Sequence, residues 1–230
     1  MLEAGLWAVI AAASLLVGAW IAQRFRVPRR VVGGAMGFGS GALIAALAYE
    51  LVPGVNVGEA GVWLSFGAGA VAFYAIDGSI ERRTAGVGGP GIGIALGALL
   101  DGIPESIVLG IGIAVGGSVS IGFLVAVLVS NIPEGLSSTA ALRVTVPASR
   151  VYGLWGVIVV ASGVAAALGY GLAVRVSAID GRFVQAFAAG AVLTMLADSM
   201  MPEAFEEGGR PIALLTALGF AVAAVLSTLD

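Results

Sequence analysis

The chain has 230 residues, 59% hydrophobic and 11% charged, with a mean hydropathy of +1.05, which excludes a single water-soluble globular domain. Cys and His are both absent, so disulfides, thiolate or imidazole metal ligands and a Ser/His/Asp triad are excluded as well. With 11 Arg, no Lys and a formal charge of −3 there is no broad basic surface, and nucleic acid is excluded as a partner.

Long stretches carry no charge at all, among them 4–23, 31–49, 106–133 and 211–229. A hydrocarbon core about 30 Å thick is crossed by ~20 helical residues. Read against Gly, Pro and charge, the apolar runs predict eight helices over about 5–22, 31–50, 62–80, 91–115, 118–141, 151–174, 183–201 and 211–229. Helices are expected because a segment in lipid must satisfy every backbone N–H and C=O internally, and the runs lack the alternation of barrel strands. About 60 residues remain for loops, so 1–230 is expected to be one transmembrane domain without an appended soluble unit. Met1, Leu2 and Glu3 provide no basic start, and Arg24, Arg26, Arg29 and Arg30 follow the first apolar run, which therefore reads as a retained span.

Arginine counts orient these spans. The connections after helices one, three, five and seven hold nine Arg and the opposite connections only Arg175 and Arg182, which predicts a multi-pass protein of the inner or plasma membrane with both termini outside the cytoplasm. A weak repeat accompanies this topology. GSGALIAALAYELVP (39–53) aligns without gaps on AAGAVLTMLADSMMP (188–202), pairing Gly41 with Gly190, Leu47 with Leu196, Ala48 with Ala197 and Pro53 with Pro202. Helices two and seven run in opposite directions, so helices one to three and six to eight are expected to form an inverted repeat around helices four and five, an all-α arrangement of three plus two plus three.

Charge also occurs where the bilayer disfavours it. Asp101 and Glu105 fall within helix four and Glu134 within helix five. An unpaired carboxylate at this depth costs ~2.5 to 3.5 kcal/mol even on the lenient insertion scale, so three together need a partner or water. No Arg lies in any span centre, which points to a cation from outside the chain. Spacing groups the ligands: Asp101 and Glu105 are four apart, as are Ser130 and Glu134, and Asn131 and Glu134 are three apart. Pro104 and Pro133 each remove a helical hydrogen bond, freeing the carbonyls of Leu100 and Val129. DGIPES (101–106) and SNIPEG (130–135) are copies of one pattern, two bent helices offering a cage of oxygens suited to a divalent cation. The bland alternative makes each Pro an ordinary membrane kink and each acid a protonated, hydrogen-bonded group, which leaves the duplicated motif unexplained.

These residues resemble the ZIP (Zrt/Irt-like) metal transporters, whose bacterial broad-range branch carries a pattern like HNxPEG on helices four and five. SNIPEG matches it with Ser in place of His; DGIPES matches the Pro104 and Glu105 core; and 187–209 looks like that branch's helix seven. The resemblance implies a 3+2+3 fold, a metal site between helices four and five, and inward transport of divalent metal. It implies bridging roles for Glu105 and Glu134, with Asp101 and Ser130 at positions usually held by His. Asn131 matches a ligand of a second metal whose partner Asn is Gly102 here. Zinc is the family's ion, whereas an all-oxygen set favours Mn²⁺, Fe²⁺ or Mg²⁺. No prosthetic group and no enzymatic activity are expected; the partners are the divalent ion and the bilayer, and a homodimer is one assembly open to it.

Two rival readings use the same acids: a proton- or sodium-coupled carrier of another solute, and a membrane enzyme with the acids as general acid and base or Mg²⁺ ligands. A scaffold that transports nothing is a third. Glu50, Asp77 and Asp198 at helix ends, and Glu203, Glu206 and Glu207 in the expected last loop, read either as solvated ends or as cation collectors at entrance and exit. Gly33, Gly37 and Gly41, and the pair Gly93 and Gly97, read as close helix packing rather than a phosphate loop.

Overall fold

The computed structural model describes residues 1–51, 59–84, 90–176 and 181–227, and these form helices joined by short connections, with no strand among them. In chain order they form α1 (Leu2–Arg24), α2 (Arg29–Ala46), α3 (Ala60–Thr84), α4 (Pro90–Gly116), α5 (Ile121–Leu142), α6 (Ala148–Val176), α7 (Gly181–Met195), α8 (Met201–Gly208) and α9 (Ile212–Leu226). A π-helical turn, Leu47–Leu51, continues α2, and a second, Leu196–Met200, joins α7 to α8. The stretch from α7 to α8 is thus one continuous helix, and the eight expected helices are all found. Seven are long and apolar enough to cross a membrane, and α9 is a shorter apolar helix. This fits a multi-pass membrane protein.

Local chemistry sets the ends. Ser120 caps α5 by accepting a hydrogen bond from the Phe123 amide at 3.1 Å. Gly117 after α4 and Gly209 after α8 adopt φ of 77° and 71°, a region open to glycine at little cost. The seventh helix runs past its expected end at 201 to Gly208, so Glu203, Glu206 and Glu207 stand on helix rather than in a loop. Pro202 falls at the start of α8, directly after the π-helical turn, and the helix runs on through it.

Alanine is the commonest residue of the core. The dominant packing pairs are α1 with α5, α4 with α6, α2 with α9 and α3 with α7. Each pair meets through reciprocal glycines. A Cβ on Gly18 would strike the Ile132 carbonyl, and one on Gly135 the Leu15 backbone; Gly110 and Gly169 stand likewise against Ala166 and Ile107. Gly41 and Gly219 meet Thr216 and Phe38, as Gly190 and Gly69 meet Phe66 and Phe187. Such approach replaces the hydrophobic effect as the packing force in lipid. Gly33 and Gly37 pack closely on α8 and α9 as expected, but Gly97 faces open space; the side-chain surroundings of Gly93 lie outside the described residues. Large apolar side chains cover the outside, for example Leu64, Val71, Tyr74, Val157, Leu168 and Leu214, as a lipid-facing surface requires.

Candidate functional site

α4 and α5 carry their prolines, Pro104 and Pro133, inside the helix, and both neighbouring acids are buried, Glu105 at 3% and Glu134 at 8% exposure. Asp101 is half-buried, while Ser130 and Asn131 are buried on α5. The depth of these groups reflects the helix pairs around them. α1 lies on α5 through Gly18 and Gly135, and α6 lies on α4 through Gly110 and Gly169, closing the bundle on both sides of the two motifs.

Hydrogen bonds orient the polar atoms unequally. The Asn131 Nδ2 donates to the Ala11 carbonyl at 3.3 Å, which leaves its Oδ1 buried with no hydrogen-bond partner. Glu134 Oε1, three residues on, is buried and without a partner too. Two orphaned oxygens on one face are a costly arrangement in a low-dielectric interior unless a ligand completes them. Ser130 donates to the Val127 carbonyl at 3.0 Å, and its backbone packs against Gly39 of α2, so its hydroxyl turns to its own helix. Asp101 is drawn another way: Ser199, in the second π-helical turn, donates to its two carboxylate oxygens at 2.9 and 3.1 Å.

A cavity of about 10 Å³, room for roughly one water, lies where α1, α4, α5 and α6 meet; Glu105, Ser106, Asn131 and Ser162 are its polar lining residues. Glu105 and Asn131 are therefore brought to one space, and Asp101, Ser130 and Glu134 are not among its walls. Glu134 nonetheless feels the charges of Asp101, Glu105 and Glu203, and Asp101 those of Asp77, Asp198 and Glu203. Among the described residues, no three acidic side chains sit close enough together to hold one ion. The five sequence-derived residues thus share a neighbourhood without forming one preassembled shell.

Two further features lie on either side. A cavity of about 680 Å³ opens beside α2, α4, α5, α7 and α9; Tyr49, Ser118, Ser120, Gln185 and Ser227 supply its polar groups, and none of the described residues that line it is charged. Leu109 lines both cavities, one turn from Glu105. On the opposite side, the end where α1 leads into α2, Ser137 donates to Glu203 Oε1 at 2.6 Å, and Arg29 reaches Glu207 at 3.8 Å. Asp198 is exposed, and the side chain of Glu50 lies outside the described residues.

Ser106, Ser162 and Ser199 are polar residues at the site that sequence reasoning missed. Ser106 was visible as the last letter of DGIPES. Ser162 and Ser199 sit alone in apolar or mixed text, where nothing in the spacing separates a site hydroxyl from one bonded to its own helix. Compared with known proteins, the chain matches no protein-family model and no curated protein.

Proposed function

We propose that this chain is a carrier of divalent metal cations across the inner or plasma membrane, resembling the ZIP transporters, with the ion held near the midplane between α4 and α5. The observation that carries the reading is the pair of buried, partnerless oxygens, Asn131 Oδ1 and Glu134 Oε1, beside two further acids in an apolar bundle. A divalent cation supplies the missing charge and completes both oxygens at once. Glu105, Glu134 and Asn131 are its principal ligands; Asp101 joins when Ser199 releases it, and Ser130 contributes only after leaving the Val127 carbonyl. The oxygen-only set accepts Zn²⁺, Mn²⁺ or Fe²⁺.

The three-plus-two-plus-three arrangement belongs to the same proposal. Exchanging α1 with α6, α2 with α7, α3 with α9 and α4 with α5 maps the dominant packing pairs onto one another. The two π-helical turns fall at aligned positions, Leu47–Leu51 on Leu196–Met200. The glycine contacts repeat likewise, Gly41 with Gly190 and Phe38 with Phe187. Such symmetry supports alternating access, in which the repeats rock against the central pair. On this reading the 680 Å³ cavity is the open mouth, and the Ser137 to Glu203 and Ser199 to Asp101 bonds close the other side. With the arginine-rich end in the cytoplasm, this is an outward-facing state.

The test is uptake of Zn²⁺, Mn²⁺, Fe²⁺ and Mg²⁺ into vesicles holding the purified protein. Accumulation of at least one of them by the wild type, lost in Glu105→Gln and Glu134→Gln, is the expected result; failure of all four ions overturns the reading. Carboxylate ligands must shed their protons to bind metal, so affinity should fall from pH 7.5 to pH 5.

A further inference from the structure

The end of the bundle where α1 leads into α2 carries a dense positive charge. Arg24, Arg26, Arg29 and Arg30 fall within seven residues and all four are exposed. Arg143, at the end of α5, joins them by reaching the last turn of α1. One acid enters this group: Glu207 lies 3.8 Å from Arg29. Among the described residues, no carboxylate pairs with Arg24, Arg26, Arg30 or Arg143. We propose that this end binds the phosphate headgroup of an anionic phospholipid, with Arg24 and Arg26 as its principal cations. The proposal needs only that the chain crosses a bilayer, and it stands whatever the protein carries.

A helix C-terminus is the negative end of the helix dipole and by itself repels an anion. Here that end is already served. Arg143 reaches across from α5 and donates through Nη1 to the carbonyl of Ala22, and to that of Phe25 at 3.4 Å. One guanidinium thus caps the last turn of α1, which leaves the charges of Arg24 and Arg26 directed outward with neither a carbonyl nor an acid to hold them. A phosphate diester is the anion that a bilayer supplies at this depth, and it suits the planar donors of arginine.

Beside the charge lies a surface suited to an acyl chain. Ile10, Val17, Trp20 and Arg24 recur at helical spacing on one face of α1, and the first three are exposed apolar side chains. Phe25 is exposed as well, and its ring meets Trp20 edge to face with centroids 6.1 Å apart. Tryptophan at headgroup depth turns its ring to the chains and its N–H to the wet side. From the bilayer outward the order is therefore chain, ring and cation. A free phosphate would use the arginines and leave the stripe idle, whereas a lipid uses both. A zwitterionic headgroup brings its own ammonium into the cluster, so the site selects lipids of net negative charge.

The experiment uses Trp20 as a local probe. The full chain is reconstituted in phosphatidylcholine vesicles containing a minor, titrated fraction of brominated phosphatidylglycerol or of brominated phosphatidylcholine, and tryptophan quenching is recorded. The anionic lipid should quench the wild type more strongly, and the difference should vanish in Trp20→Phe. Combining Arg24→Gln with Arg26→Gln should weaken the preference about 25-fold, roughly fivefold for each arginine near the surface. Arg175→Gln, at the other end of α6, removes a charge and should leave the preference unchanged. Added NaCl should erode it in the wild type, because exposed charges are screened. Equal quenching by the two lipids in the wild type overturns the proposal. So does a preference that ignores NaCl, survives the double variant or persists in Trp20→Phe. Should the double variant fail to fold, the wild-type comparison and its salt dependence still decide.

Discussion

DGIPES on α4 and SNIPEG on α5 are nearly the same text, yet their surroundings differ. On α5 the motif is clamped: Gly135 admits the Leu15 backbone, Ser130 packs on Gly39, and Asn131 is tied to Ala11. On α4 the motif is looser: Ser106 stands where Gly135 stands on α5 and bonds to Gly102, three of its residues, Gly102, Glu105 and Ser106, border the small cavity that only Asn131 borders from the α5 motif, and Asp101 leans across to Ser199. One wall of the site is fixed and the other adjustable. The last motif residue, Gly or Ser, separates them, because only the glycine lets a neighbouring backbone reach van der Waals contact.

The comparison breaks most visibly if the two glutamates turn out to be dispensable. Replacing both, Glu105→Gln with Glu134→Gln, should cut vesicle uptake on the order of 100-fold, the upper range for lost partners in a metal site, while leaving the helical content by circular dichroism unchanged. A scaffold protein would show neither loss. Next in size is the clamp itself. Gly135→Leu forces a side chain into the Leu15 backbone and should cost roughly 3 kcal/mol or more, seen as a large drop in monodisperse protein on heating. Ser106→Ala, at the matching motif position on α4, loses one hydrogen bond and should cost about 1 kcal/mol.

Smaller effects sharpen the contrast. Ser199→Ala frees Asp101 from its two bonds and should change metal affinity by a few-fold with little effect on stability, measured by equilibrium binding at pH 7.5. Ser137→Ala, which removes a bond to Glu203 on the closed side, should favour opening there and raise the labelling rate of a cysteine placed at Ser138. If the labelling rate does not change, Ser137 is no part of the closure.

Much of this architecture was legible in the residues. Apolar runs without charge fix the helices because lipid leaves the backbone no other way to satisfy itself, and the segments 39–53 and 188–202, alike in sequence, each carry a π-helical turn at the same aligned place, which the residues alone did not announce. Three acids without arginine were equally visible. What the text could not give was direction. Asp101 turns to Ser199 and Ser130 turns to its own helix because of which neighbour lies within reach, and that depends on glycine contacts far along the chain such as Gly39 and Gly169. The extension of the seventh helix to Gly208 was missed for a local reason: Pro202 and a cluster of glutamates read as a loop, although the helix continues through the proline directly after a π-helical turn.

The most direct measurement is divalent ion binding to the purified wild type and to Glu134→Gln, with Zn²⁺ and Mn²⁺ titrated at pH 7.5 in sodium-free buffer. Saturable binding of at least one ion by the wild type, abolished when Glu134 is made neutral, is expected if α4 and α5 hold the transported metal. Binding of equal affinity in the two proteins would contradict it.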